Sequence, residues 1–251
     1  MSSHVLILGC GRSGTSIFGE LFEDIGAYTY YSEPPFAELA ALSFSTPVAI
    51  KVPKECDEFQ STPGLSFPLD AMLSLLPKPT KIYWQVRHPL DAIASLRVGI
   101  ADNWGHHPRP PDWKSWLNRS VVERCAHHWD YINSIGYGQV RGLVEVCRFE
   151  EMLTSPRDFA ERICADVGVS RAASAAGIAT WSERVQDTNN EKFKEAKTSR
   201  HYSRPDHTRR LGRWKENLGS DELRQVVPLV RAAADTFGYQ LLDEALFEPQ
   251  D

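Results

Sequence analysis

The fold is decided by one stretch near the start of the chain, Val5-Leu6-Ile7-Leu8-Gly9-Cys10-Gly11-Arg12-Ser13-Gly14-Thr15-Ser16. An apolar run of strand length meets a glycine-rich turn, and a helix-like pattern through Ile17, Phe18, Leu21 and Phe22 follows. A strand, a glycine turn and a helix N-terminus together make an anion site. The glycines let backbone N–H groups approach a phosphate, and the helix dipole favours negative charge. The stretch therefore predicts a nucleotide or another phosphate ester as ligand.

Three phosphate-binding patterns overlay the same residues and imply different chemistry. Gly9-x-Gly11-x-x-Gly14 fits the dinucleotide fingerprint, with Glu33 near the position of its ribose-binding acid. The stretch from Gly9 to Ser16 nearly fits the ATP/GTP loop, but Thr15 stands where that loop has its lysine. The third interpretation takes the unit to be residues 12–16, with a cation in the loop and two hydroxyls opening the helix. The loop alone leaves these alternatives open.

Length and composition indicate an ordinary globular protein. A chain of 251 residues predicts one domain, 1–251, with insertions. Its 42% hydrophobic and 24% charged residues are typical of soluble proteins, and the net charge of -5 argues against general nucleic-acid binding. Five scattered cysteines without a C-x-x-C pair are expected to be reduced thiols. No targeting signal precedes the first strand and no run has transmembrane length, so a cytoplasmic location is expected.

Strand and helix patterns alternate along the chain, which predicts an α/β fold with a central parallel sheet. The expected strands are 5–8, 47–51, 81–86 and 143–149. The expected helices are 15–25, 66–76, 89–98, 121–135, 156–167 and 221–237. The alanine-rich run 172–179 is ambiguous. An irregular insertion rich in Trp, His and Pro is expected at about 101–118.

A basic stretch near the end of the chain contrasts with the acidic whole. Residues 190–215 hold nine Lys or Arg against three acids, a local balance of +6 in a protein of net charge -5. A charge run of this kind is usually a solvated surface. Its concentration in one segment also suits a cover that closes over a polyanionic ligand.

Four segments, in order, resemble the sulfotransferases that use 3′-phosphoadenosine-5′-phosphosulfate (PAPS). Residues 11–16 resemble that family's loop for the 5′-phosphosulfate, and residues 86–95 resemble its 3′-phosphate segment. Residues 147–153 are similar to a family strand with its acidic turn, and residues 210–218 to its C-terminal cofactor-covering segment. The resemblance spans most of the chain. An Arg at position 12, where many cytosolic members have Lys, places the chain nearer the carbohydrate, tyrosylprotein and bacterial branches.

This resemblance implies a P-loop-like three-layer α/β/α fold and PAPS as cofactor, with 3′,5′-adenosine bisphosphate as product. It implies cofactor contacts from the first loop, from the end of one strand and the helix after it, and from the basic cover at about 190–218. The implied contact residues are Gly11, Arg12, Ser13, Gly14, Thr15, Ser16, Arg87, Ser95, Arg210, Gly212, Arg213, Trp214 and Lys215. Arg suits the forked recognition of phosphate oxygens that this assignment needs.

Sulfuryl transfer needs a base for the acceptor's proton and cations for the charge on the bridging oxygen. The resemblance implies Glu33 as the base, with Arg12 and Lys51 stabilising the phosphosulfate and no metal required. Four histidines remain alternative bases, and adjacent histidines on a helix point apart, so at most one of such a pair serves: His106, His107, His127 and His128. Flat tryptophan rings of the insertion are candidate walls for an acceptor: Trp104, Trp113 and Trp116.

Three other function classes remain open from the sequence, and a dinucleotide-dependent enzyme is the third of them. The first is a P-loop nucleotide kinase or NTPase with a degenerate loop, which predicts a need for Mg²⁺ and a nucleoside triphosphate. The second is a non-catalytic nucleotide-binding protein. For a sulfotransferase the acceptor is open among small molecules, carbohydrates and peptides, as are O- versus N-sulfation and the oligomeric state.

Overall fold

The centre of the molecule is a parallel sheet of five strands in the order β2-β3-β1-β4-β5. The computed structural model describes residues 2–42, 44–55, 60–101, 104–186 and 211–241. The strands are β1 (His4–Gly9), β2 (Thr29–Ser32), β3 (Val48–Lys51), β4 (Thr80–Val86) and β5 (Glu145–Arg148). All four expected strands are present, and the prediction of a central parallel sheet is confirmed.

Helices cover both faces of this sheet, as the three-layer α/β/α prediction requires. One face carries α1 (Thr15–Asp24), α7 (Phe149–Thr154), α8 (Pro156–Asp166) and α9 (Arg171–Gln186). The other face carries α3 (Leu69–Leu75), α4 (Pro89–Ile100), α5 (Val121–Tyr131) and α11 (Ser220–Thr236). Shorter helices are α2 (Phe36–Ala40), α6 (Tyr137–Val140), α10 (Trp214–Asn217) and a 3₁₀ helix (Trp113–Asn118).

Strand β1 is apolar on both sides because both sides are covered. Val5 and Ile7 pack in the α1 layer, whereas Leu6 and Leu8 pack in the α4 layer. All four are at most 1% exposed, which explains the continuous apolar run in the sequence.

The position of β1 decides where a ligand fits. Its neighbours are β3 on one side and β4 on the other. The strands β2 and β3 therefore extend the sheet on one side of β1, and β4 and β5 extend it on the other. Open parallel sheets bind ligands at such a switch point, in the crevice beyond the carboxyl ends of the strands. The loop 10–14 leaves the carboxyl end of β1 at this point.

Several regions differ from the sequence expectations. Strand β2 and helix α2 lie in a stretch where no element was predicted, since β2 is a short edge strand with partly exposed tyrosines. The ambiguous alanine-rich run belongs to one long helix, α9, which packs against α1 and α8. The 121–135 helix continues past Tyr131 through a π turn (Ile132–Gly136) into α6. None of the helices in the described ranges is long and apolar enough to cross a membrane.

Candidate functional site

The loop between β1 and α1 depends on two glycines in unusual positions. Gly9 has φ 146°, and a Cβ there would come within 2.2 Å of the Gln85 carbonyl oxygen on β4. Gly14 begins α1 with φ 89°, and a Cβ there would lie 2.3 Å from the Phe149 ring. Among the described residues, no side chain caps the N-terminus of α1. The first N–H groups of this ten-residue helix are therefore available to an anion.

Arg12 occupies the tip of this loop in a left-handed conformation, φ 66°. Its Nε donates a hydrogen bond to Ser95 Oγ at 3.0 Å. Ser95 is buried on α4, so the contact ties the loop to the helix on the opposite face of the sheet. The structure thus brings together the two residues that were assigned to opposite ends of the cofactor.

Arg87 lies directly beside Arg12, at the carboxyl end of β4. Its Nη1 donates to the Arg12 carbonyl oxygen at 3.1 Å, and its guanidinium lies 4.5 Å from the centre of the Phe149 ring. Burial lowers the pKa of Arg87 to about 10, partly offset by the nearby Asp91 carboxylate. Arg87 is therefore a buried cation at neutral pH, at the end of the strand that pairs with β1.

Asp91 attaches the C-terminal segment to this cation cluster, a role that sequence reasoning missed. One carboxylate oxygen accepts the Gly212 N–H and the other accepts the Trp214 N–H, each at 2.9 Å. Asp91 is 2% exposed, and one turn earlier the His88 ring stacks on Trp214 with an interplanar angle of 9°. An acid in the first turn of a helix is common, so only the fold reveals this partner.

The same segment brings a third guanidinium to the loop. Burial lowers the pKa of Arg213, and the charge of Arg12 lowers it further, while Asp91 opposes both effects. Arg12, Arg87 and Arg213 therefore form one cation cluster at the carboxyl edge of the sheet. Lys215 follows with its Nζ 5.7 Å from the Trp214 ring centre. Arg210 and most of the basic stretch lie outside the described residues.

Lys51 and Glu33 form a second charged group, next to the start of α1. Lys51 Nζ donates to Ser16 Oγ at 2.9 Å and to Glu33 Oε1 at 2.6 Å, while Lys54 pairs with the other Glu33 oxygen. Glu33 has φ 53°, and its N–H donates to the Lys51 carbonyl oxygen at 2.8 Å. Burial raises the pKa of the Glu33 carboxyl, but the two lysines outweigh it and hold that pKa below its ordinary value.

The four candidate histidines separate into different environments. His106 lies against the loop, because a Cβ added to Gly11 would come within 3.0 Å of its Nδ1. Burial lowers the pKa of His106 to about 4, and the charge of Arg12 lowers it further, so its ring is neutral at pH 7. His128 is fully buried and accepts the Trp104 indole N–H at Nδ1, 3.3 Å away.

His127 and His107 also lie in different surroundings. His127 stacks on the Trp116 ring at 4.0 Å and pairs with Asp112. His107 is exposed, next to His106 in the chain. Of the four, His106 and His107 are the two that lie by the loop or by the recess beside it, while His127 and His128 are held in the α5 layer.

The tryptophans of the insertion do not have the expected arrangement. Trp104 is fully buried in the α4 and α5 layer, and Trp113 and Trp116 pack partly buried on the 3₁₀ helix. Trp84 of β4 lies behind a small recess near the loop and is itself fully buried. Trp84 alternates with Tyr83 along the strand, which places it on the α4 side of the sheet.

Comparison with solved structures identifies the fold of the chain. Mouse sulfotransferase SULT7A1, complexed with PAP, matches with a TM-score of 0.58 and 16% identity over 92% of this chain and 84% of that one. The sulfotransferase domain from the curacin biosynthetic pathway matches with a TM-score of 0.55 and 13% identity over 96% and 99%. The chain has the sulfotransferase fold.

A third structure with the sulfotransferase fold is retinol dehydratase in complex with androsterone and inactive cofactor PAP. It matches with a TM-score of 0.56 and 13% identity over 96% of this chain and 83% of that one. No protein-family model matches the chain, and no curated protein matches its sequence. The fold predicted from four short motifs is confirmed, at identities too low for overall sequence similarity to have shown it.

Proposed function

We propose that the chain is a sulfotransferase that moves a sulfuryl group from PAPS to a hydroxyl or amine acceptor by in-line displacement. The observation that carries the proposal is the convergence of Arg12, Arg87 and Arg213 beside the uncapped N-terminus of α1. PAPS presents two anionic groups, and the site offers this arginine cluster together with Lys51, which contacts Ser16 at the start of α1. PAP-bound neighbours of the same fold support the choice of nucleotide.

The residues present suit this nucleotide. The α1 N–H groups, with Ser13, Thr15 and Ser16, are placed for a 5′-phosphosulfate, and Ser13 Oγ is buried without a partner among the described residues. We assign Arg87, Arg213 and Ser95 to the 3′-phosphate, because guanidinium forks match phosphate oxygens. Thr15 stands where the ATP/GTP loop has the lysine that contacts the nucleotide phosphates. The absence of a lysine at this position argues against the nucleotide-kinase alternative.

Lys51 connects the cofactor site to the candidate base. Its ammonium has three donors, of which the described contacts use two, on Ser16 and Glu33. PAPS supplies a sulfuryl group and a bisphosphate leaving group. The third donor of Lys51 is placed to hold charge that develops on the oxygen linking them.

Glu33 is ionised at neutral pH and is a weak base, because Lys51 and Lys54 both stabilise its charge. Such a carboxylate accepts the acceptor's proton only after the acceptor oxygen has become acidic through bonding to sulfur. If Lys51 turns toward the leaving group, Glu33 loses one of two cations and its pKa rises. The geometry thus couples the strength of the base to occupation of the donor site.

Calorimetry tests the cofactor assignment. It compares the affinity for 3′,5′-adenosine bisphosphate with the affinities for ADP, ATP with Mg²⁺, and NAD. We expect the bisphosphate to bind tightest and Arg87→Met to weaken it at least tenfold. The matched control is Arg171→Met, since Arg171 is 86% exposed and starts α9 near the amino end of β1. A preference for ATP with Mg²⁺ or for NAD would overturn the proposal.

Turnover of sulfur-labelled PAPS separates an enzyme from a nucleotide-binding protein. Arg12→Ala is expected to abolish transfer in a folded variant. Glu33→Gln is expected to retain bisphosphate affinity and to lose rate by about 100-fold, within the usual contribution of a general base. An unchanged rate for Glu33→Gln would remove Glu33 from the base role, and His106 would then be the next candidate by position.

A further inference from the structure

His106, in the segment that follows α4, lies in a space that two glycines leave open. One is Gly11 in the loop between β1 and α1, and the other is Gly99 on α4. A Cβ at Gly11 would come within 3.0 Å of His106 Nδ1, and a Cβ at Gly99 would overlap with His106 Nε2. The imidazole ring is therefore packed between the loop and α4.

The backbone before His106 is held by contacts with α4 and α5, which fixes where the ring lies. Trp104 is fully buried, and its indole N–H donates to His128 Nδ1 at 3.3 Å. The Gly105 N–H donates to the Gly99 carbonyl oxygen at 2.5 Å. The centres of the His106 and His128 rings are 5.9 Å apart. These contacts hold His106 against the loop from the α4 side of the sheet.

The charged groups around His106 belong to the proposed transfer site. Burial has the largest effect on the pKa of His106 and lowers it. The charges of Arg12, Lys54 and His107 lower this pKa further, whereas the charge of Glu33 raises it. His106 is therefore close both to the arginine of the loop and to the candidate base.

The ring nitrogens of His106 are available to a bound molecule. The side chain is half-buried, and neither nitrogen forms a hydrogen bond within the part of the chain that the structure describes. A neutral imidazole has one N–H donor and one acceptor nitrogen. Because Nε2 faces Gly99 and Nδ1 faces Gly11, Nδ1 is the nitrogen that a group bound at the loop would meet.

The surrounding charges favour a role as hydrogen-bond donor over a role as base. A second proton on His106 would add a positive charge beside Arg12 and Lys54, in a half-buried position. Glu33 carries a negative charge and takes up a proton without adding to the positive charge of the site. A neutral N–H, in contrast, stabilises an anionic oxygen and keeps its proton.

On the basis of the proposed function, we propose that His106 is a further catalytic residue, which donates a hydrogen bond from Nδ1 to a sulfuryl oxygen and orients that group for transfer. His106 keeps its proton throughout. The acceptor oxygen bonds to sulfur as the bond from sulfur to the 5′-phosphate oxygen breaks. The electron pair of the broken bond leaves with 3′,5′-adenosine bisphosphate, and the acceptor's proton passes to Glu33.

Two substitutions of similar shape test this hydrogen bond. The amide nitrogen of Asn can replace His106 Nδ1 as donor, whereas Leu has nearly the same shape and no donor. Calorimetry without an acceptor compares the affinity for PAPS with that for 3′,5′-adenosine bisphosphate, which lacks the sulfuryl group. We expect His106→Leu to weaken PAPS binding at least fivefold and bisphosphate binding less than twofold. His106→Asn is expected to keep both affinities within twofold.

The rate of PAPS hydrolysis, with water as the acceptor, measures the same contact during transfer. We expect His106→Leu to lower this rate at least tenfold and His106→Asn to lower it less than threefold, because Asn donates a hydrogen bond but is no base.

Gly99→Ala tests the position of the ring without changing its nitrogens. The added Cβ displaces the end of the His106 side chain, so PAPS affinity is expected to fall at least fivefold while bisphosphate affinity stays within twofold. Gly138→Ala is the matched control, because Gly138 lies on helix α6 with open space around its Cβ position. Both affinities are expected to stay within twofold in this control.

Each outcome separates this inference from the proposed function. An unchanged PAPS affinity and hydrolysis rate in His106→Leu, equal losses in the Leu and Asn variants, or a parallel loss of bisphosphate affinity would overturn the role of His106 as donor. If the unaltered protein binds neither PAPS nor the bisphosphate, the sulfotransferase itself is overturned, and the inference with it. If His106→Leu does not fold, Gly99→Ala decides by the same ratio of affinities.

Discussion

The Asp91→Asn substitution removes a negative charge and also weakens a hydrogen-bonded contact. These two effects are expected to change the affinity for 3′,5′-adenosine bisphosphate in opposite directions. The Asp91 carboxylate accepts the N–H groups of Gly212 and Trp214, each at 2.9 Å, and is 2% exposed. Its charge also lies near Arg87 and Arg213. If charge alone mattered, loss of a carboxylate beside a phosphate site would strengthen the binding of 3′,5′-adenosine bisphosphate. If Asp91 acts by positioning the segment that carries Arg213, the same change weakens binding.

The size of the positioning effect follows from the contacts. Asn keeps the shape and one acceptor oxygen, but its amide group presents a donor to the second N–H. One hydrogen bond to a charged group is lost, a contribution of about 1.5–3 kcal/mol. If docking of the segment is needed to hold the ligand, this loss corresponds to a roughly 10- to 100-fold weaker affinity. We expect the positioning effect to exceed the charge effect, because Arg12, Arg87 and Arg213 leave the site cationic with or without the Asp91 charge.

Calorimetry with 3′,5′-adenosine bisphosphate measures the outcome directly. The matched control is Asp70→Asn, which removes the same charge from the first turn of α3, where Asp70 is exposed. Its affinity is expected to stay within twofold of the unaltered protein. An equal or tighter affinity in a folded Asp91→Asn variant would refute the positioning argument.

Three further predictions follow from particular residues. Gly14→Ala is expected to lower the free energy of unfolding by about 2–5 kcal/mol, because it adds a clash with Phe149 to the cost of positive φ; Gly26→Ala, with φ 64° and open space around it, should cost only about 1 kcal/mol in urea unfolding, and equal losses would contradict the clash. The lowered pKa of Glu33 means that its ion pairs stabilise the fold above the unfolded-state pKa and lose that effect as pH falls through the folded-state pKa. The stability difference between the unaltered protein and Glu33→Gln should therefore shrink on acidification, and a difference that grows would reverse the assignment. The His106 ring, with a pKa of about 4, should show flat NMR shifts from pH 5.5 to 8, and a midpoint near 6.5 would place it in solvent.

Local sequence was sufficient for the elements that carry their own signal. The β1 run, the glycines of the loop and the helix pattern after them predicted strand, turn and helix because each depends on neighbouring residues. The short edge strand β2 was missed because its pairing with β3, 19 residues further on, is what makes it a strand. The long helix α9 was ambiguous because its alanines show little amphipathic pattern, and its contacts with α1 decide its position.

The sequence by itself determined the α/β class, the glycine-rich turn and the resemblance that pointed to PAPS, because these lie in contiguous residues with local geometric requirements. Only the tertiary structure decided that Ser95 meets Arg12, that Asp91 holds the C-terminal segment, and that Glu33 shares two lysines. The physical reason is that each of these contacts joins residues whose proximity depends on strand order at the switch point, and strand order has no local signature in the chain.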